Sequence, residues 1–283
     1  SKLHDDGNGE HYNAGYDYAG GRNGEASAYA NLMLQFATAY LYTENEDYAQ
    51  IAYDIMISLC DEENWHTWPH KNYLNNAELL TPMALAYDWL YDVWSEIQDQ
   101  RGEEYDLAYI THTIGRKTIY HGYETSRYNR ATNVWGRDVA SYVNGATNAA
   151  WNWSLVEINW NCVCNCGLVI GAMAIVGEED PKIDYSFVDD GVNAVEWTLT
   201  NNFWRIAEYG LVQYAPDGSY IESPGYWSYA TTYLSILLAA IPGVYGDDLG
   251  FYETWGMDKT FYFAIQVEFP YMKENGRLSH KMW

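Results

Sequence analysis

The chain is expected to be all-α, its helices paired as hairpins that close into an α/α toroid. Two observations point there. In about nine or ten stretches the apolar residues recur at helical spacing, while few stretches alternate with the period of a strand. No heptad register runs long enough for a coiled coil, and successive antiparallel hairpins of helices can close into a ring whose inner ends surround a cleft. At 283 residues the polypeptide is long enough to bury a sizeable core. Its 48% hydrophobic and 19% charged residues mark it as globular rather than disordered.

The elements follow in order. Residues 1–24 are rich in Gly, Asn, Asp and Tyr and read as an extended N-terminal arm ahead of a toroid domain over 25–283. From Glu25 the apolar residues Ala28, Leu32, Leu34, Phe36, Ala39, Tyr40 and Leu41 suit one broad helix face. A second helix is expected over 47–60, with Ile51, Ala52, Ile55, Met56 and Leu59 in phase. Residues 64–73 carry Trp65, His66, Trp68, Pro69 and His70 and read as a loop. The His-x3-His spacing would suit a metal only on a helix, which Pro69 opposes, so no metal and no cofactor is expected. Thr81-Pro82 reads as a helix start, Thr as N-cap and Pro in the first turn. Ser95-Glu-Ile-Gln98 fits a capping box ahead of a helix over 105–120.

Further helices are expected over 139–155, 168–176 and 187–203, the second ended by Gly177-Glu-Glu-Asp-Pro181. Residues 209–220 have strand or loop character and close in the turn Pro216-Asp-Gly218. A helix over 227–241 should stop at Pro242-Gly243, and a last one should cover 259–269. The cysteines Cys162, Cys164 and Cys166 alternate, which matches neither zinc nor thioredoxin-like spacing. They read as small buried hydrophobes, with a disulfide to Cys60 as the alternative in an oxidising compartment.

Charge and aromatics bound the partners. A formal charge of −24 opposes nucleic acid and anionic membrane surfaces. No apolar run approaches the roughly 20 residues that span a bilayer, so membrane insertion is not expected. The N-terminus lacks the apolar core of a signal peptide, which implies a leader already removed or never present. Five of the 15 Lys and Arg (Arg116, Lys117, Arg127, Arg130, Arg137) fall with His112 and His121 in one short segment, a solvated face or a landing strip for an anionic ligand. The 28 Tyr and 13 Trp combine apolar faces with polar tips and suit a wet, sugar-lined groove.

Two stretches place polar groups ahead of helix-like runs, where rigid elements can hold them. One is Glu157-Ile-Asn-Trp-Asn-Cys-Val-Cys-Asn-Cys-Gly167. The other is Asp217-Gly-Ser-Tyr-Ile-Glu-Ser-Pro-Gly-Tyr-Trp-Ser-Tyr229. They are taken as the walls of one site. Together with Leu85-Ala-Tyr-Asp-Trp-Leu-Tyr-Asp92 and Gly171-Ala-Met-Ala174, their order and separation resemble the heparinase II/III-like polysaccharide lyases and their alginate lyase relatives, over roughly residues 25–270. The resemblance implies a helical toroid followed by a β-sandwich, which would begin where this chain stops, at Trp283. It also implies β-elimination of uronic-acid polysaccharides outside the cell or in the periplasm. Asn159 falls at the position of the Asn that neutralises the uronate carboxylate, and Tyr226 at that of the Tyr that moves the proton, with Tyr229 as second choice. Trp160 stands where many relatives carry His.

The chemistry is coherent. Abstracting the C5 proton of a uronate drives negative charge onto its carboxylate, which a fixed amide donor stabilises. A phenol ordinarily titrates near 10 and needs nearby cations to act as a base at neutral pH. Arg127, Arg130, Arg137 and His121 are the candidates, with Trp160, Asn161 and Glu222 as further substrate contacts. Asn159 has an alternative role as a helix-cap amide, Tyr226 as a core aromatic with a satisfied hydroxyl, and Glu222 as the anchor of its turn. Two other functions remain open. An inverting glycoside hydrolase would draw two opposed carboxylates from Asp88, Glu157, Asp217 and Glu222. A non-catalytic extracellular glycan-binding or self-assembling subunit would keep the toroid without the chemistry, forming a homo-oligomer or larger assembly through its N-terminal arm.

Overall fold

The computed structural model describes residues 3–5, 11–13, 24–61, 73–102, 107–127, 153–178, 188–189, 192–254, 256–272, 276 and 278–282. These residues are mostly helical. Their strands form three short antiparallel hairpins: β1 (Leu3–Asp5) with β2 (His11–Asn13), β3 (Val188–Asp189) with β4 (Val192–Asn193), and β5 (Glu268–Met272) with β6 (Leu278–Met282). The first hairpin falls within the expected arm; the other residues of 1–23 lie outside the described residues.

Helix α1 (Gly24–Thr43) and helix α2 (Glu46–Cys60) are joined by Glu44 and Asn45. Glu44 takes a left-handed φ of 54°, and Asn45 caps α2 by accepting the Asp47 N–H at 3.1 Å. Glu46 and Asp47 place negative charge on the positive end of the helix dipole. The expected loop at 62–72, with its two histidines, lies outside the described residues.

Helix α3 (Tyr73–Arg101) corrects two expectations. Thr81-Pro82 does not start a helix; it sits inside one. Pro82 forfeits a single ladder bond, whereas Ala77, Leu79, Leu80, Met83, Ala86 and Tyr87 on either side are buried and hold the helix unbroken. Thr81 folds its hydroxyl back onto the Ala77 carbonyl at 2.9 Å. Ser95 to Gln98 likewise lies inside this helix, in its last two turns. Gln98 instead accepts the Leu107 N–H at 2.7 Å and so caps the next helix, α4 (Leu107–Thr113). Between them Gly102, at φ 88°, ends α3. A π-type turn (Ile114–Ile119) carries α4 into α5 (Tyr120–Arg127), beyond the expected end at 120. Of the helix expected over 139–155, residues 139–152 lie outside the described residues and Trp153–Leu155 is a 3-10 turn.

Helix α6 (Asn159–Ile175) is the centre of the fold. It starts at Asn159 rather than at 168, so the expected polar wall is the helix's own first turns. Small and apolar residues surround it, and a helix apolar all round belongs in a core. Cys164, Leu168 and Ala172 join the core of α1–α5. Cys162, Cys166, Val169 and Ile170 join a second core with Phe203, Ile206, Leu234 and Leu237. Glycine permits the close approach of α3: a Cβ at Gly171 would lie 2.7 Å from Leu80 Cδ2. All four cysteines are free and buried, so the alternative of a disulfide to Cys60 is not realised.

The helix expected over 187–203 is displaced. Val188 and Val192 belong to the β3–β4 hairpin, and helix begins at Ala194 because Asn193 accepts the N–H groups of Val195 and Glu196. It runs as α7 (Ala194–Trp197) and α8 (Phe203–Arg205), with π-type turns at Thr198–Asn202 and Ile206–Gly210, into a 3-10 turn at Leu211–Tyr214. Helix α9 (Pro224–Tyr245) passes straight through Pro242 and ends at Gly246, φ 73°. The carbonyl that Pro242 leaves without its ladder donor belongs to Leu238, and the Tyr252 hydroxyl donates to it at 2.7 Å. Helix α10 (Thr260–Val267) leads into the last hairpin, which begins within the span expected to be helical.

Candidate functional site

The two stretches singled out as walls meet. Helices α6 and α9 pack on one another, and their first residues, Asn159 and Pro224, follow extended residues Ile158 and Ser223 whose side chains make no capping hydrogen bond. Glu222 takes over that task for α6. Its carboxylate accepts the Asn159 backbone N–H at 2.6 Å, and Asn159 Nδ2 lies 2.9 Å from Oε1 and 2.8 Å from Oε2. A carboxylate at a helix start gains both the orphan N–H and the dipole. Gln213 steadies the residue before, donating from Nε2 to the Ile158 carbonyl at 3.2 Å.

The turn that delivers Glu222 is clamped from behind. It contains a cis Ala215–Pro216 bond and Gly218 at φ 84°. A Cβ on Gly218 would lie 2.5 Å from the Lys259 carbonyl carbon, and one on Gly256 2.0 Å from the Tyr214 carbonyl oxygen. Asp217 accepts from both the backbone N–H and the hydroxyl of Ser219, which holds its carboxyl below the usual carboxylate range. Trp227 Nε1 donates to Thr260 Oγ1 at 2.7 Å, tying the start of α9 to α10.

The expected site residues divide accordingly. Asn159 is 3% exposed and bonded to Glu222, which is half-buried. Tyr226 stands in the first turn of α9, 49% exposed, with no hydrogen-bond partner among the described residues. Tyr229, one turn on, donates its hydroxyl to the buried Glu78 of α3. Trp160 packs at the edge of the first core, and Asn161 is fully buried with its amide on the Ser154 carbonyl at 3.0 Å. Arg127 ends α5 and His121 lies within it, their side chains outside the described residues, as are Arg130 and Arg137 altogether. No cluster of three or more His, Cys, Asp or Glu suited to a metal occurs among the described residues.

Around the first turns of α6 lies a polar cluster that the sequence did not disclose. Asn202 Nδ2 donates to Ser126 Oγ and Asn165 Oδ1, and the buried Arg205 donates to the Ser126 carbonyl and Ser154 Oγ. Burial pushes the neighbouring thiols up, Cys162 to about 12 with the Glu222 charge adding to the effect. The phenols of Tyr214 and Tyr220 are raised as well, chiefly by burial.

Cavities follow α3. An apolar one of about 640 Å³ lies between α3, α6 and α9, walled by Leu85, Ile170, Met173 and Ile236 with Asp88 and Trp89 at its rim. It shares Asp88, Trp89 and Ala174 with a polar hollow of about 310 Å³ that Tyr91, Asp92 and Glu178 complete. Glu178 was missed. Burial raises its carboxyl above the ordinary 4.5, with the Tyr87 hydroxyl opposing. The only sequence signal is its place just past Gly177, which ends α6 at φ 84°. Of the other carboxylates weighed for a hydrolase, Glu157 is exposed, and Asp217 and Glu222 are engaged locally. No family model matches the chain, and no curated protein does.

Proposed function

We propose that the chain is the helical domain of a polysaccharide lyase that cleaves uronic-acid polymers by β-elimination, its helices arranged as an α/α toroid. The observation that carries this reading is the junction at Asn159. Segments 63 positions apart in the chain, each singled out for its polar residues, are joined there by three hydrogen bonds from Asn159 to Glu222. Tyr226 follows Glu222 by four positions and stands exposed in the first turn of α9.

In this reading the Asn159 amide stabilises the charge that gathers on the uronate carboxylate as C5 is deprotonated. Tyr226 takes the proton. The C5–H electron pair becomes the C4–C5 double bond, and the C4–O bond breaks. Tyr226 then returns the proton to the leaving oxygen. The basic segment around Arg127, Arg130 and Arg137 would supply the cations that make a phenolate accessible. Its partner is an anionic polysaccharide met in the extracellular space or periplasm.

A panel of uronate polymers, followed at the ultraviolet absorbance of the unsaturated product, tests the proposal. Product should form with at least one polymer, fall to a residual rate roughly a hundredfold to a thousandfold lower in Asn159→Ala, and be lost in Tyr226→Phe. A second reading is favoured by the near-complete burial of Asn159 and by the carboxylate already seated on its amide. It is glycan binding or assembly without turnover. Binding by calorimetry with no product across the panel would select it.

A further inference from the structure

We infer that Glu222 is a positioning residue for the elimination: it acts through Asn159, fixing the rotamer and the flip of the amide, rather than by touching substrate. The inference rests on the lyase reading and assigns Glu222 a role different from the substrate contact expected for it. The argument is geometric. A carboxylate only accepts, so the end of the Asn159 amide lying 2.8–2.9 Å from both its oxygens is the NH2 end. One nitrogen astride two carboxylate oxygens directs one hydrogen between them. The second amide hydrogen, fixed by the planarity of the group, then points away from Glu222 in a single direction.

Without Glu222 the amide is free to rotate about its last torsion, which is broad and roughly two-fold. In half of its orientations it would present an oxygen to the substrate carboxylate, which repels it. Glu222 itself is well held, because the same carboxylate grips the backbone N–H of Asn159 at 2.6 Å. Its own turn is pinned through Gly218 and Gly256. The donor that must meet developing charge is thus preorganised by a neighbour whose negative charge also keeps Asn159 from turning over.

The test compares wild type with Glu222→Gln, Asn159→Ala and the double variant on whichever uronate polymer the wild type cleaves. A glutamine still fills the space and still accepts, but offers either end of an amide. Glu222→Gln should lower kcat roughly tenfold or more with KM changed by less than about twofold. The double variant should be no slower than Asn159→Ala alone, since the effect passes through that side chain. An undiminished loss in the Asn159→Ala background would overturn the inference, as would faster turnover or a lower KM in Glu222→Gln.

Selective 15N labelling of asparagine gives a readout independent of turnover. The two Asn159 side-chain protons should be widely separated in wild type and should converge in Glu222→Gln. Converged resonances in wild type overturn the inference even in an active enzyme. Separated resonances in a protein inactive on every polymer sink the lyase reading, and leave Glu222 as a helix cap with no positioning role.

Discussion

At the scale of single residues the buried thiols make the firmest statement. Cys60 and Cys162 are pushed by burial from an ordinary 9.0 to about 12, and burial raises Cys164 and Cys166 well above 9.0 as well. A thiol reagent at pH 8 should therefore leave all four unmodified in the native protein and titrate them after denaturation; rapid labelling of the native state would contradict this burial. The same shifts set a direction for alkaline stability. The folded state holds its thiol protons to higher pH than the unfolded chain, so their contribution is complete below pH 9 and declines as pH rises from 9 toward 12. Each buried thiol adds to that decline, because only the unfolded chain releases its proton there. Tm measured from pH 8 to 11 should fall, and a flat profile would count against it. Tyr73, Tyr214 and Tyr220, also raised chiefly by burial, add to the loss above pH 10. Glycines act in the opposite sense, by what they leave out. Gly256→Ala would force a Cβ onto the Tyr214 carbonyl at a φ of 95°, a change expected to cost more than about 3 kcal/mol and to show as a loss of soluble protein.

At the scale of elements, caps and breakers decide the outcome. Gln98→Ala should remove the acceptor at the start of α4 and lower stability by about 1 kcal/mol in urea unfolding, with Asn45→Ala a comparable loss at α2. Tyr252→Phe should cost no more than about 1 kcal/mol, because the bond it removes from the Leu238 carbonyl beside Pro242 is exposed and water can take its place. These contacts also explain what the sequence could and could not disclose. Helices α1 and α2 were legible because their apolar periodicity is local. The prolines at 82 and 242 misled because propensity is a local quantity, while the packing around Pro82 and the Tyr252 hydroxyl that rescues Leu238 come from residues distant in the chain. The capping box at Ser95 had the right composition, yet Gln98 serves the helix that follows. In the candidate site, the closeness of the 159 and 222 stretches was legible from their polar residues ahead of apolar runs. That Glu222 would bond Asn159, and that Asn161 would turn inward, depends on which face of α6 meets α9.

At the scale of the whole molecule, charge and connectivity matter most. A net charge of −24 spread over 283 residues repels itself in the compact state more than in the unfolded one. Raising salt from about 20 to 200 mM shortens the range of that repulsion. Tm should therefore increase by a few degrees, and a decrease would mean that ion pairs outweigh self-repulsion. Among the described residues the structure offers no helix long and apolar enough to cross a membrane. The bond between Asn159 and Glu222 also imposes an order on biosynthesis. The first turn of α6 has its partner only after the 63 residues to Glu222 have been added, several seconds at a ribosome's pace of about 5–20 residues per second. Until then the nascent helix that both cores are built around has an open end, and a chaperone or a stalled ribosome would meet it in that state.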